Sequence, residues 1–83
     1  MGDEKLILEE VAYESLKSEY RDHSIRDLNI RDNTGVTVIA FKDDAQGFIF
    51  NPQPGKLVSQ GDTLIVLGTA NQITKFAQQY VVS

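Results

Sequence analysis

The stretch Ser24–Gly68, "SIRDLNIRDNTGVTVIAFKDDAQGFIFNPQPGKLVSQGDTLIVLG", decides the fold, because cap, turn and strand signals follow one another along it. Ser24 stands three residues before Asp27 and just ahead of apolar Ile25 and Leu28. That is the pattern of a reciprocal cap, in which each side chain satisfies a free amide at a helix start, and it predicts a short helix over Ser24–Ile30. Asp, Asn and Gly tolerate the left-handed backbone, so Arg31–Gly35, "RDNTG", is predicted to be a turn. Val36–Lys42, "VTVIAFK", is the clearest strand, with Val36, Val38 and Ala40 on one face and Thr37, Ile39 and Phe41 on the other. Apolar on both faces, it is expected to lie inside a sheet. Asp43–Gly47 is a loop, and Phe48–Phe50 resumes strand character, which makes an antiparallel hairpin. Pro52 and Pro54 remove two amide donors from the ladder, so a loop follows to about Gln60. Gly61-Asp62 turns the chain into a second core strand, Thr63–Gly68. Ile39 and Ile65 are both assigned to the core on this pattern.

Outward from that frame the signals weaken on the N-terminal side. Leu8, Ala12 and Leu16 recur at helical spacing, yet Leu6 and Leu8 alternate with Ile7 and Val11 as on a strand, so Leu6–Tyr13 reads either way. A polar linker follows it. On the C-terminal side Thr69 or Asn71 can cap a helix whose Ile73, Phe76, Ala77 and Tyr80 form one apolar stripe for packing on the sheet.

The 83 residues suit one domain with a small core, and with no cysteine and one histidine, self-association is the leading source of extra stability. A composition of 41% hydrophobic and 24% charged residues is that of a globular protein. The net charge of −4, from 12 acidic and 8 basic residues, argues against nucleic acid as a partner, because a phosphate backbone selects a basic field. No apolar run reaches the roughly 20 residues that cross a bilayer, so the domain is expected to be soluble and cytoplasmic, with no membrane insertion of its own.

Chemistry is sparsely provided. After Gly68 come Thr69, Ala70 and Asn71, so the three-glycine dinucleotide fingerprint is missing. Glu9-Glu10 and Asp43-Asp44 have no companions in the pattern of a calcium loop and read as solvated edge and turn. His23, the single histidine, reads as a surface residue, and without cysteine neither a nucleophile–base pair nor a zinc site is expected. The domain is therefore expected not to be an enzyme and to need no cofactor or metal. Arg31 has two readings: a cation balancing the end of a helix dipole, or a guanidinium that holds a carboxylate or phosphate bidentately.

Taken together, Leu28–Arg31, Gly35–Ala40, the hairpin at Asp43–Gly47, Pro52–Pro54, Gly61-Asp62 and Thr63–Gly68 resemble the C-terminal subdomain of the regulator-of-potassium-conductance family, the TrkA-C type. The resemblance runs from about Leu6 to Tyr80. It implies a small α/β (α+β) domain of order β-α-β-β-β-α, a mostly antiparallel sheet with two helices, which forms dimers. On that ground Leu6–Tyr13 is taken as a strand, and 1–83 as one TrkA-C domain with an ordered core over about 6–80. The resemblance further implies a regulatory role in a potassium channel or transport system, with a homodimer sensing a small ligand. In some members that ligand is the cyclic dinucleotide c-di-AMP, held at the dimer interface; an ion is the other option. Carried over to this chain, the ligand-facing positions are Ile25, Ile30, Arg31, Val36, Thr37 and Val38. The alternative is a purely structural dimerisation module of another transporter, an antiporter or anion exchanger, with no small ligand. Asp32, Asn33, Thr34 and Thr37 stand where cyclic-dinucleotide binders supply aromatic or amide side chains, and Asp22-His23 replaces the family's usual glycine.

Overall fold

A computed structural model describes residues 5–43, 45 and 47–82. The elements are β1 (Ile7–Ala12), α1 (Ile25–Leu28), α2 (Ile30–Thr34), β2 (Thr37–Asp43), β3 (Gly47–Phe50), β4 (Thr63–Gly68) and α3 (Ala70–Tyr80). The four strands form one antiparallel sheet of order β1-β4-β2-β3. The first segment is thus a strand, and the small α+β architecture expected from the resemblance is the one observed.

The sheet covers one face only. Val11, Phe41, Leu64 and Val66 point to the helices and close a core with Leu16, Leu28, Ile30, Val36, Val58, Phe76 and Tyr80. Burying such side chains gives roughly 1.5–3 kcal/mol each before entropy is charged. The segment read as a polar linker supplies Leu16, wholly buried, and Tyr20, whose ring lies 4.6 Å from that of Tyr80. Across the sheet, Leu8, Phe48 and Phe50 stay more than half exposed.

Three expectations need correction. The helix over Ser24–Ile30 is broken: Asn29 adopts φ 53°, ψ 38°, ending α1, and α2 then runs to Thr34 through what was predicted to be a turn. Asn accepts the left-handed conformation more readily than other non-glycine residues, so the reversal falls at Asn29 and at Gly35, with helix between. Thr34 locks α2 by donating its hydroxyl to the Ile30 carbonyl at 2.7 Å while accepting from Val36 N–H. Ser24 does cap α1, accepting from Asp27 N–H at 3.1 Å, but the return bond from Asp27 is not made.

The second correction concerns β2, which carries a bulge between Val38 and Ala40. One extra residue shifts the alternation. Phe41, opposite Leu64, therefore joins Val36 and Val38 on the core side, and Ala40, opposite Ile65, moves to the other face of the sheet, where both are nevertheless buried. Ile39, at the bulge, is only partly buried and lies outside the core cluster. Third, the α3 stripe is narrower than expected: Phe76 and Tyr80 are buried and Ile73 packs beside them, but Ala77 is exposed.

The turn ending α2 is bound to the start of α3. Thr69 caps that helix in a full box, its hydroxyl accepting from Gln72 N–H while Gln72 Oε1 accepts from Thr69 N–H at 2.9 Å. Gly35 sits against this Gln72 side chain with φ +83°, and a Cβ there would fall 2.6 Å from Gln72 Nε2. Gly35→Ala is expected to cost about 1–2 kcal/mol, through backbone strain and displacement of the capping side chain. A urea midpoint equal to that of the parent would contradict this.

Candidate functional site

The break at Asn29, the start of β2 and the loop after β3 form a cavity of about 390 Å³ that is open to solvent. All six residues singled out by the resemblance line it: Ile25 from α1, Ile30 and Arg31 from α2, and Val36, Thr37 and Val38 from the entry to β2. Why they converge is visible in the topology. β3 pairs with β2 only over Ala40–Asp43, so the first residues of β2 have no neighbour on that side, and the helices and the proline loop close the gap.

Arg26, Asn29 and Asp32 also line the cavity, with Pro52 and Pro54 as its outer wall. The sequence reading left these five out of the site. The prolines were read as a break in structure and as part of the family pattern, and Arg26 was not weighed as a site residue. The loop bearing the prolines is held in place: Pro54 and Lys56 carbonyls accept from Arg26 and Ile25 N–H at 2.9 and 3.1 Å. Lys56 anchors its far end, with Nζ 3.2 Å from the buried Asp62 carboxylate and 4.8 Å from the Phe41 ring centre.

The electrostatics of the site differ from those of the molecule. The chain carries −4 overall, yet the cavity wall holds two guanidinium groups and one carboxylate. Among the described residues, Arg26, Arg31 and Asp32 make no side-chain hydrogen bond or ion pair. Unpaired cations beside an apolar lining suit an anion that also has an apolar part. Arg31 is not at the end of a helix running from Ser24 but is the basic residue in the last turn of α2, so the helix-end cation reading passes to that shorter helix.

The other expected surface features are located as follows. His23 is exposed, with Nε2 2.9 Å from the Glu19 carbonyl, and is not among the cavity residues. Asp43 accepts from Ala45 N–H at 2.9 Å in the hairpin turn; Asp44 lies outside the described residues. Among the described residues no cluster of three or more His, Cys, Asp or Glu could hold a metal, and no helix is long and apolar enough to cross a membrane.

Comparison with known proteins places the chain in a family of regulatory domains. The family described as the TrkA-C domain matches residues 9–80, and the chain belongs to it. None of the curated proteins matches at a significant level. Among solved structures, the RCK_C domain dimer of S. agalactiae BusR in complex with c-di-AMP is 28% identical, with a TM-score of 0.71, over 86% of this chain and 91% of that one. The RCK C domain of the potassium transport protein KtrA in complex with c-di-AMP is 28% identical, with a TM-score of 0.69, over 92% and 82%. BusR in complex with its busAB-promoter DNA is 27% identical, with a TM-score of 0.73, over 94% of this chain, which spans 37% of that BusR chain. A domain of this kind therefore also occurs inside a protein that binds DNA, a setting that the acidic composition had argued against for this one.

Proposed function

We propose that this domain is the ligand-sensing and dimerisation module of a potassium transport system, and that the cavity over Ile25, Ile30, Arg31, Val36, Thr37 and Val38 is its ligand site. The observation that carries the reading is the unpaired Arg31 guanidinium over an apolar lining. Two relatives at 28% identity in complex with c-di-AMP support the choice of ligand. A homodimer on the cytoplasmic side of a channel or transporter would convert binding into gating by favouring one of two dimer arrangements, which needs only a difference in affinity between them.

The test is a thermal shift with c-di-AMP, since a ligand that binds only the folded state raises the melting temperature by mass action. Arg31→Ala is expected to weaken c-di-AMP affinity tenfold or more, about 1.4 kcal/mol, without lowering the melting temperature of the free domain. Calorimetry giving the parental affinity would remove Arg31 from the site. A dimer by sedimentation with no shift from c-di-AMP, potassium or other ions would select the structural dimerisation module. The likeness to BusR bound to DNA favours one second setting for the same ligand response, a DNA-binding regulator in place of a channel.

A further inference from the structure

β1 is an edge of the sheet, and its free side borders a groove. The Tyr13 N–H donates to the Asp62 carbonyl at 2.9 Å, which fixes the phase of the β1–β4 ladder. Bonded pairs alternate in an antiparallel ladder, so Ile7, Glu9 and Val11 turn their main-chain groups to β4, whereas Leu8, Glu10 and Ala12 turn theirs outward. Among the described residues no main-chain bond meets that outer row. An open groove of about 170 Å³ lies between this edge and α3, lined by Val11, Ile73, Phe76, Ala77 and Val81. Glu9 and Glu10 stand at it, both exposed, and among the described residues neither carboxylate makes a hydrogen bond or ion pair.

We propose that the outer edge of β1 and the groove beside α3 are a docking site for an extended peptide segment of alternating basic and aliphatic residues, which adds to the sheet as a further antiparallel strand. The main-chain groups of Leu8, Glu10 and Ala12 hold such a segment, and the groove selects among its side chains. Side chains alternate along an added strand. The residue paired with Glu10 lies beside that carboxylate on the face away from the helices, and its two neighbours point into the groove. A lysine or arginine suits the first position, and valine, isoleucine or leucine the other two. Charge decides against a second copy of this chain as the occupant. Two β1 edges paired antiparallel would bring Glu9 and Glu10 of both copies together, which protects an edge from its own kind. The same carboxylates attract a basic strand. This site is separate from the cavity at Asn29 and does not depend on what that cavity binds.

The probe is a short acetylated and amidated peptide alternating lysine and valine, titrated into the ¹⁵N-labelled domain. Amide resonances of residues 8–12 and 73–81 are expected to shift, and those of residues 25–38 to stay. With each lysine paired to the outward row of β1, N-methylation of the lysine amides should weaken binding tenfold or more. N-methylation of the valine amides, which face away from β1, should leave it within about twofold. Glu10→Lys should weaken this peptide at least fivefold and bring a glutamate–valine peptide to bind in its place. Ala77→Trp, at an exposed position of α3, should weaken it by filling the groove, with a parental melting temperature. Equal affinity of the two methylated peptides, or shifts spread over the other acidic residues, would mean adsorption by charge and overturn the strand addition. Parental affinity in Ala77→Trp would overturn the part given to the groove. Shifts of residues 8–12 that grow with protein concentration when no peptide is present would assign the edge to a second copy and overturn the proposal.

Discussion

Tyr80→Ala is expected to cost about 3–5 kcal/mol, the range for emptying a large aromatic site in a core, against a total stability on the order of 4–12 kcal/mol for a chain of this length. Chemical denaturation should show it largely unfolded or close to the transition without denaturant; a midpoint near the parent's would refute the role given to this residue. Tyr80 is fully buried, stacks on Phe76 at 5.5 Å and meets Tyr20. Its hydroxyl donates to the Leu28 carbonyl and accepts from Asn33 Nδ2, tying α3 to both sides of the break at Asn29. Tyr80→Phe isolates the second effect: the ring stays, and the two partners lose their bonds at about 1–3 kcal/mol.

Burial pushes the Tyr80 phenol above its ordinary value of 10.0, aided by Tyr20 and opposed by the Asn33 donor. Because the folded state holds this proton more tightly than the unfolded chain, the contribution is complete below the ordinary value and is lost as pH rises through the higher folded one. Tyr80→Phe should therefore lose stability less steeply than the parent above about pH 10.

Leu64→Asp is expected to abolish folding, and Ile39→Asp is not. Leu64 is fully buried on the helix-facing side of β4, in register with Val11 and Phe41, where an aspartate would have neither water nor a cation. An unpaired charge in such a place costs more than 4–5 kcal/mol and exceeds what most small domains can spare. Circular dichroism of Leu64→Asp that matched the parent would contradict the assigned core. For Ile39→Asp a parental spectrum is the expected result, since the bulge leaves its side chain partly open.

The contrast between these two residues marks how far the sequence reaches. Three of the four strands were legible in the pattern, β4 to the residue, because β-branched runs bounded by Gly, Asp and Pro leave few alternatives, whereas β1 read equally as a helix and was taken as a strand only on the family resemblance. A bulge leaves no such trace: it depends on how Ala40 and Ile65 meet across strands, so the alternation read forward from Val36 was right to Val38 and inverted by Phe41. Asn29 had a visible cue, a residue able to go left-handed between two Ile-Arg-Asp triplets, but local preference could not choose it over Asn33. Tyr80, at the far end of the chain, holds the observed arrangement through its bonds to the Leu28 carbonyl and to Asn33, contacts that no local pattern displays. The position of Arg26 followed from the break and was hidden with it.

The proline wall of the cavity has a thermodynamic meaning as well as a shape. Pro52 and Pro54 have few backbone states to lose, and Lys56, bound to Asp62 and lying over Phe41, fixes the loop as the domain folds. The entropy of ordering that wall is thus charged to folding and not to the arrival of an occupant. Selection at the cavity then falls on charge and fit alone, with no advantage to a molecule for organising the loop around itself.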